Sequence, residues 1–290
     1  MACGILIVDK PAGWTSQDVV SKLRGVLHEK RIGHGGTLDP MATGVLPVFV
    51  GRATRAVEFF EAAHKEYVAH LRLGVTTDTQ DTAGNVLKKS ENIPSQGEIS
   101  AILSSFMGEI GQIPPMYSAI KIGGKKLYEL ARQGKEVERK ERKIRIFDLT
   151  LGEKLENGDY PLTVFCSKGT YVRTLCHDIG EKLGCGACMS SLRRTKAGMY
   201  DLSMATPLDE IASSPNPESL LLPVDSMFLH LPAFTLNRKQ ETACRHGNPI
   251  QNWHECDGLC RIYGEDGTFL MLGNAREGTL FTEKSFFEIT

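Results

Sequence analysis

An unbroken apolar run from Ile5 to Val8 halts at Asp9-Lys10, which predicts a short buried strand, Gly4 to Val8, closed by a turn at Pro11–Gly13. The period then lengthens. Val19, Val20, Leu23, Val26 and Leu27 share one face of a helix from about Gln17 to His28, with Ser16 as its expected N-cap. Val45 to Val50 reads as a second buried strand, Thr54 to Ala63 as a helix, and Glu66 to Leu73 as a strand with Tyr67, Ala69, Leu71 and Leu73 on one side. A polar loop, Thr76 to Asn85, leads to the capping box Ser95-Gln-Gly-Glu98 and the helical stripe Ile99, Ile102, Leu103, Phe106.

Pro114-Pro115 stops regular structure; Gly123-Gly124 marks a hairpin, and an alternating charged segment up to Phe147 reads as an exposed arm. A strand from Leu162 to Cys166 and a Ser167-Lys168-Gly169 turn precede a helix carrying Val172, Leu175, Ile179 and Leu183, which ends at Gly184. Ser213-Ser-Pro-Asn-Pro-Glu-Ser219 is the strongest punctuation, and a change of character at Leu231-Pro232 sets a domain boundary there, dividing 1–231 from 232–290. The tail predicts short strands around Phe234, Cys260 to Tyr263 and Phe269 to Leu272, one helix near Arg238 to Arg245, and a turn at Glu265-Asp266-Gly267. Strands and helices intermingle, so the fold class is α+β.

Composition narrows the class. With 290 residues, 41% hydrophobic and 24% charged, the chain has enough apolar material for one large domain and a small one. The N-terminal apolar run is too short for a signal peptide or a membrane span, so a cytoplasmic protein without membrane contact is expected. Eight cysteines in that setting are read as thiols. Cys185-Gly-Ala-Cys188 lacks a matching second pair, since Cys256 and Cys260 have three intervening residues, and no metal site is expected. The net charge of −1 excludes a uniformly basic coat. Between Lys121 and Arg145, however, ten Lys/Arg stand against four Glu, a local +6 that includes Lys121, Lys125, Lys126 and Arg132 and suits phosphate contacts.

Gly33-His34-Gly35-Gly36 resembles a phosphate cradle, but it has neither a Gly-Lys-Ser/Thr ending nor the full G-x-G-x-x-G of a dinucleotide site. The chain continues instead into Leu38-Asp39-Pro40. Pro40 pushes Asp39 out of the helical region and fixes its direction; taken alone the segment favours a simple Asp-Pro turn over a reactive carboxylate, and only context elsewhere in the chain can reverse that. A reactive carboxylate needs a cation within a few ångströms. Arg173, in the first turn of the helix after Gly169-Thr170-Tyr171, is a candidate, because a helix N-terminus disfavours an unpaired cation. Asp39, Asp78 and Asp81 as ligands of a nuclease metal lack a coherent ligand pattern.

Gly33-His34-Gly35-Gly36-Thr37-Leu38-Asp39-Pro40-Met41-Ala42-Thr43-Gly44-Val45-Leu46-Pro47 resembles the central motif of the TruB family of tRNA pseudouridine-55 synthases. Further blocks agree in order: Asp9-Lys10-Pro11-x-Gly13, Lys65-x-Tyr67, Pro114-Pro115-x-Tyr117-Ser118-Ala119-x-Lys121, Gly169-Thr170-Tyr171-x-Arg173 and Leu192-x-Arg194-Thr195. The likeness spans about residues 4 to 200, and the tail is similar to a PUA module, notably at Arg245-His246-Gly247-Asn248-Pro249-Ile250. Gly35 departs from the threonine common there.

The resemblance implies a central, mainly antiparallel sheet flanked by helices, with a small β-rich PUA-like domain behind it. It implies isomerisation of uridine 55 in the T-loop of tRNA after base flipping, by a monomer that needs neither cofactor nor guide RNA. Asp39 would be the essential carboxylate, Arg173 its ion-pair partner and Tyr67 the ring under the target base. His34 would stack within the RNA loop, Leu192 line the uracil pocket, and Lys10 support the active-site loop or a phosphate. The basic insertion, about 121–147, would close on the T-arm, and the tail would reach towards the acceptor stem.

Overall fold

The computed structural model describes residues 2–118 and 120–287; Ala119, part of the Pro114–Lys121 block, lies outside the described residues. Its centre is a ten-stranded sheet. Eight strands form the continuous path: β1 (Gly4–Lys10), β2 (Thr43–Val50), β3 (Lys65–Leu73), β4 (Gly108–Gln112), β5 (Arg142–Leu151), β6 (Tyr160–Cys166), β7 (Ala187–Ala197) and β8 (Thr206–Pro207). Their spatial order is β8-β1-β2-β7-β3-β6-β5-β4, with Ile32–His34 added to β2 and Tyr200–Asp201 to β7. Only β8–β1 and β7–β2 pair in parallel. The sheet is thus mainly antiparallel, and the fold is the expected mixed α+β architecture.

Alternation along each strand sends side chains into two cores. Leu6 and Val8 of β1, Leu46 and Val48 of β2, and Tyr67, Ala69 and Leu71 of β3 pack with helices α1 (Ser16–Val26), α2 (Gln96–Leu103) and α3 (Val172–Lys182). Ile5, Ile7, Val45 and Phe49 face the other way, towards Phe60, Tyr200 and Phe228. Residues 233–287 form a second sheet of β9 (Ala233–Thr235), β10 (Ile250–Gln251), β11 (Gly258–Tyr263), β12 (Phe269–Arg276) and β13 (Thr279–Ser285), with its own core around Leu236, Trp253 and Ile262. An aromatic seam joins this sheet to the second face of the first. Phe59 meets Phe228 edge-on at 5.6 Å, Phe269 stacks on Phe286 at 5.2 Å, and Arg55 donates to the Ser285 carbonyl (3.0 Å) and hydroxyl (2.7 Å). Among the described residues no helix is long and apolar enough to cross a membrane.

Three expectations need correction, and one strand was not expected at all. The N-cap of α1 is Thr15, whose hydroxyl accepts from Asp18 N–H while the Asp18 carboxylate accepts from Thr15 N–H; Ser16, one residue on, is buried instead against Leu38. The helix expected over Thr54–Ala63 is a 3₁₀ turn (Gly51–Ala56) followed by a single α-turn (Val57–Phe60), because Phe60 must turn in to meet Phe49 and Tyr200, each at 5.8 Å. The basic stretch divides. Lys121–Ile122 and Lys125–Lys126 do make a hairpin over Gly123-Gly124, both at positive φ, but Arg142 to Phe147 belongs to β5, with Ile144 and Ile146 buried. Finally, β7 lies at the middle of the sheet and has no counterpart in the sequence reading. Two register shifts, at Met189/Ser191 and Arg194/Lys196, break its alternation and hide it.

The glycine at position 35 has a local cause. A Cβ there would lie 2.5 Å from the Phe60 ring and 3.0 Å from that of Phe49, so the aromatic pair occupies the space a side chain would need. Gly35→Ala should lower stability by about 1–3 kcal/mol through overpacking. Phe60→Leu in the same chain should restore part of that loss. Urea midpoints of the two single variants and the double variant test this, and additive losses would show that the ring is not what position 35 yields to.

Candidate active site

Asp39 lies in the loop between Ile32–His34 and β2, and the loop is tied down on every side. Gly35 N–H donates to the Pro47 carbonyl (2.8 Å), Leu38 N–H to the Ser16 hydroxyl (2.9 Å), Ala42 N–H to the Asp39 carbonyl (3.0 Å), and Gly13 N–H to the Pro40 carbonyl (2.8 Å). Leu38 and Ala42, either side of the carboxylate, are buried in the core. Asp39 therefore has little freedom beyond its own side-chain torsions. Its side chain keeps 33% of its surface exposed.

Arg173 meets it from the first turn of α3. Arg173 Nε lies 3.0 Å from Asp39 Oδ2, and Nη2 donates to Oδ1 at 3.3 Å, a two-point contact. The remaining donors are also engaged: Nη2 with the Tyr117 carbonyl (2.8 Å), Nη1 with the Thr79 carbonyl (3.3 Å) and with Asp81 Oδ2 (3.4 Å). Asp81, rejected as a metal ligand on sequence grounds, thus faces the guanidinium, while Asp78 holds Asn85 in the exposed turn beside it. The residue before α3 is fixed as well, since Gln112 at the end of β4 exchanges two hydrogen bonds with the Tyr171 backbone. Loss of hydration raises the Asp39 pKa above the ordinary carboxylate value; Arg173 opposes the rise, Asp81 adds to it, and Lys10 opposes it.

Tyr67 and Leu192 sit in the same core wall, on β3 and β7, with Leu192 registered opposite Ala69 and Arg194 opposite Tyr67. Tyr67 is 9% exposed, and burial raises its hydroxyl pKa. Lys10 is fully buried and donates to the carbonyls of Trp14 (2.6 Å), Pro11 (2.9 Å) and Pro40 (3.3 Å), so its ammonium braces the loop next to Asp39. Burial pulls its pKa down to about 8. His34 is half-buried, its Nδ1 has no partner, and burial lowers its pKa, which favours a neutral ring. Lys121, Lys125 and Arg132 lie on the arm; Lys126 and Arg132 flank the Tyr128 ring at 5.4 and 5.5 Å.

The structure therefore brings Asp39, Arg173 and Lys10 together and sets Tyr67 and Leu192 in the core cluster that holds Leu38 and Ala42, while His34 ends the strand before the loop and Lys121, Lys125, Lys126 and Arg132 lie on the arm. Sequence reasoning assigned no role to Asp81, Lys65 or Arg194. Lys65 donates to the Ala63 carbonyl (2.6 Å), and burial brings its pKa to about 8; Arg194 is 1% exposed. The signal for these two was present in the Lys65-x-Tyr67 and Leu192-x-Arg194 blocks. Among the described residues no three His, Cys, Asp or Glu side chains gather as a metal site. The constellation is a desolvated carboxylate with a fixed counter-ion and an aromatic wall, suited to stabilising or attacking an electron-poor centre.

A carboxyl whose folded pKa lies above its unfolded value weakens the fold when ionised, so its contribution worsens as pH rises through that range and vanishes below both values. Asp39→Asn should accordingly be more stable than the parent at pH 8, with the gain shrinking as pH falls through the carboxylate range. Urea unfolding at several pH values measures it, and a gain independent of pH would exclude desolvation of Asp39 as its source.

Residues 24–172 match the family profile "TruB family pseudouridylate synthase (N terminal domain)", 173–229 match "tRNA pseudouridylate synthase B C-terminal domain", and 232–283 match "Pseudouridine synthase II TruB, C-terminal". A protein of Alkaliphilus oremlandii named tRNA pseudouridine synthase B is 45% identical over 91% of this chain and 88% of its own. One of the same name from Streptococcus mutans is 46% identical over 87% and 88%, respectively. The solved structure titled "Crystal Structure of a Cbf5-Nop10-Gar1 Complex" superposes with a TM-score of 0.72 at 28% identity, covering 99% of this chain and 85% of that one. With the fold, three consecutive profiles and relatives above 40% identity in agreement, the chain belongs to the TruB family of pseudouridylate synthases.

Proposed function

We propose that this protein isomerises uridine 55 in the T-loop of tRNA to pseudouridine, as a stand-alone cytoplasmic enzyme. The observation that carries the reading is the two-point contact between Arg173 and Asp39, beside the core cluster that holds Tyr67, Leu192 and the loop residues Leu38 and Ala42. The names of the relatives support the RNA class. The reaction breaks the glycosidic bond to N1, turns the uracil, and joins the same sugar carbon to C5, whose proton leaves while N1 gains one. Nothing is oxidised, so no cofactor is called for. Asp39 supplies the negative charge that the separated sugar or the activated base requires, and Arg173 keeps it ionised against the loss of water.

A uridine inside a folded loop reaches Asp39 only when flipped out of its stack. Tyr67 offers its ring to the flipped base, Leu192 closes the pocket beside it, and the neutral His34 ring suits the space the base vacates. Lys10 acts on the loop rather than on the RNA, since its donors are taken by carbonyls. Lys121, Lys125, Lys126 and Arg132 meet backbone phosphates of the T-arm, and the C-terminal module extends the interaction towards the acceptor stem.

Incubating an unmodified tRNA transcript with the protein, without metal or guide RNA, should give pseudouridine at position 55; its absence from the T-loop would overturn the assignment. Asp39→Asn should bind the transcript as tightly as the parent and yield no product, with turnover down by at least about 10⁴-fold, the upper range for a single catalytic group. Retained turnover would remove Asp39 from the mechanism. Replacing Lys125, Lys126 and Arg132 together by Ala should flatten the dependence of log affinity on log salt by up to about 0.9 for each phosphate no longer neutralised, leaving the modified position unchanged. An unaltered slope would place the phosphate-binding cations elsewhere.

A further inference from the structure

Arg194 is 1% exposed, the largest of the fully buried side chains, and the proposed isomerisation does not use it. A buried guanidinium is retained only where its donors are satisfied. Arg194 Nε donates to the Val45 carbonyl of β2 (2.7 Å), and Nη2 to the Gly36 carbonyl in the loop that carries Asp39 (3.2 Å). Across the β7–β3 pairing Arg194 is registered opposite Tyr67, and its positive charge opposes the rise that burial imposes on the Tyr67 hydroxyl pKa. The backbone around it leaves no slack. Gly44 stands opposite Arg194 in the parallel β2–β7 pairing at φ +100°, where a Cβ would come within 2.2 Å of the Arg194 carbonyl. Three pieces of the site, the aspartate loop, the strand after it and the aromatic ring, therefore converge on one side chain.

We infer that Arg194 is a positioning residue that locks the Tyr67 ring to the Asp39 loop, setting the distance between the surface under the base and the carboxylate, without itself touching the RNA. This rests on the uridine-isomerising reading. The other charged or polar groups that bear on Tyr67 are Cys166 on β6 and Asp39; both raise its pKa, as burial does, and Arg194 alone opposes them. Arg194 thus acts on Tyr67 both as a strut and as a positive charge that opposes the rise of its hydroxyl pKa. Lys65, whose ammonium is held by the Ala63 carbonyl, carries the second charge in this wall.

The test is a double-mutant cycle between Arg194→Lys and Tyr67→Phe. Lysine keeps the charge but cannot span Val45, Gly36 and Tyr67 at once, and phenylalanine keeps the ring but removes the hydroxyl. Arg194→Lys should leave tRNA affinity within about twofold and lower the single-turnover rate roughly tenfold to a hundredfold, the scale of a small misplacement of reacting groups. In the Tyr67→Phe background the same substitution should cause little further loss. Equal losses in both backgrounds, or weakened RNA binding at an unchanged rate, would overturn the inference and leave Arg194 a general structural brace. A second measurement needs neither RNA nor a stable Arg194 variant: the side-chain N–H signals of Arg194, assigned through bonds, should shift in Tyr67→Phe. Unmoved signals would refute the link even in a protein that isomerises uridine, and shifted signals in one that does not would separate this inference from the functional reading.

Discussion

One guanidinium held between two carboxylates, with most water removed, is the constraint around which this site is built. Charges leave water only at a cost of several kcal/mol each unless they are paired, and a pair survives burial only with good geometry and its spare donors occupied. Arg173 meets both conditions by drawing on Asp39, Asp81, Tyr117 and Thr79, four positions from three separate segments. The two acids are not equivalent. Asp81 is 7% exposed and committed to the interior, whereas Asp39 is 33% exposed and is the carboxylate a visiting molecule can reach. Lys10 also lies close enough to favour ionised Asp39.

The same economy explains why the buried cations here bond mainly to backbone. A site made of loop ends exposes carbonyls that no sheet or helix satisfies, and leaving them unpaired in the interior is unfavourable. Lys10 covers three of them, and Arg194 covers that of Gly36 while also bonding the Val45 carbonyl of β2. Each cation therefore shapes a loop and tunes a neighbour's charge together. For that reason substitutions at these positions alter geometry and electrostatics at once, and only paired substitutions separate the two.

Much of this was legible in the sequence wherever a single period governs an element. The alternation of Tyr67, Ala69, Leu71 and Leu73 and the helical stripe Val172, Leu175 and Ile179 are both realised, as is the Ser95–Glu98 capping box. The strand Ala187–Ala197 was not legible, because two bulges break its alternation and because Arg193 and Arg194 look like surface residues until Asp9 and the Gly36 carbonyl are placed beside them. Asp81 was hidden for a related reason: a polar turn residue acquires meaning only from a partner 92 positions away. Charge misled at Arg142 to Phe147, where the cationic residues are the outward half of a strand whose inward half is Ile144 and Ile146. Asp39 by itself read as a plain Asp-Pro turn until ordered blocks elsewhere in the chain reversed that reading.

The aromatic seam of Phe59, Phe228, Phe269 and Phe286, together with Arg55 on Ser285, makes the C-terminal sheet an extension of the first rather than a body swinging on a tether. An RNA that touches both sheets meets two surfaces whose separation is already set, so the entropy of aligning them is spent when the chain folds and not when the RNA arrives. A flexible linker would let the two surfaces accommodate many spacings between contact points. A fixed seam acts instead as a gauge, rewarding only those RNAs whose own rigid arms present the two points at the matching span.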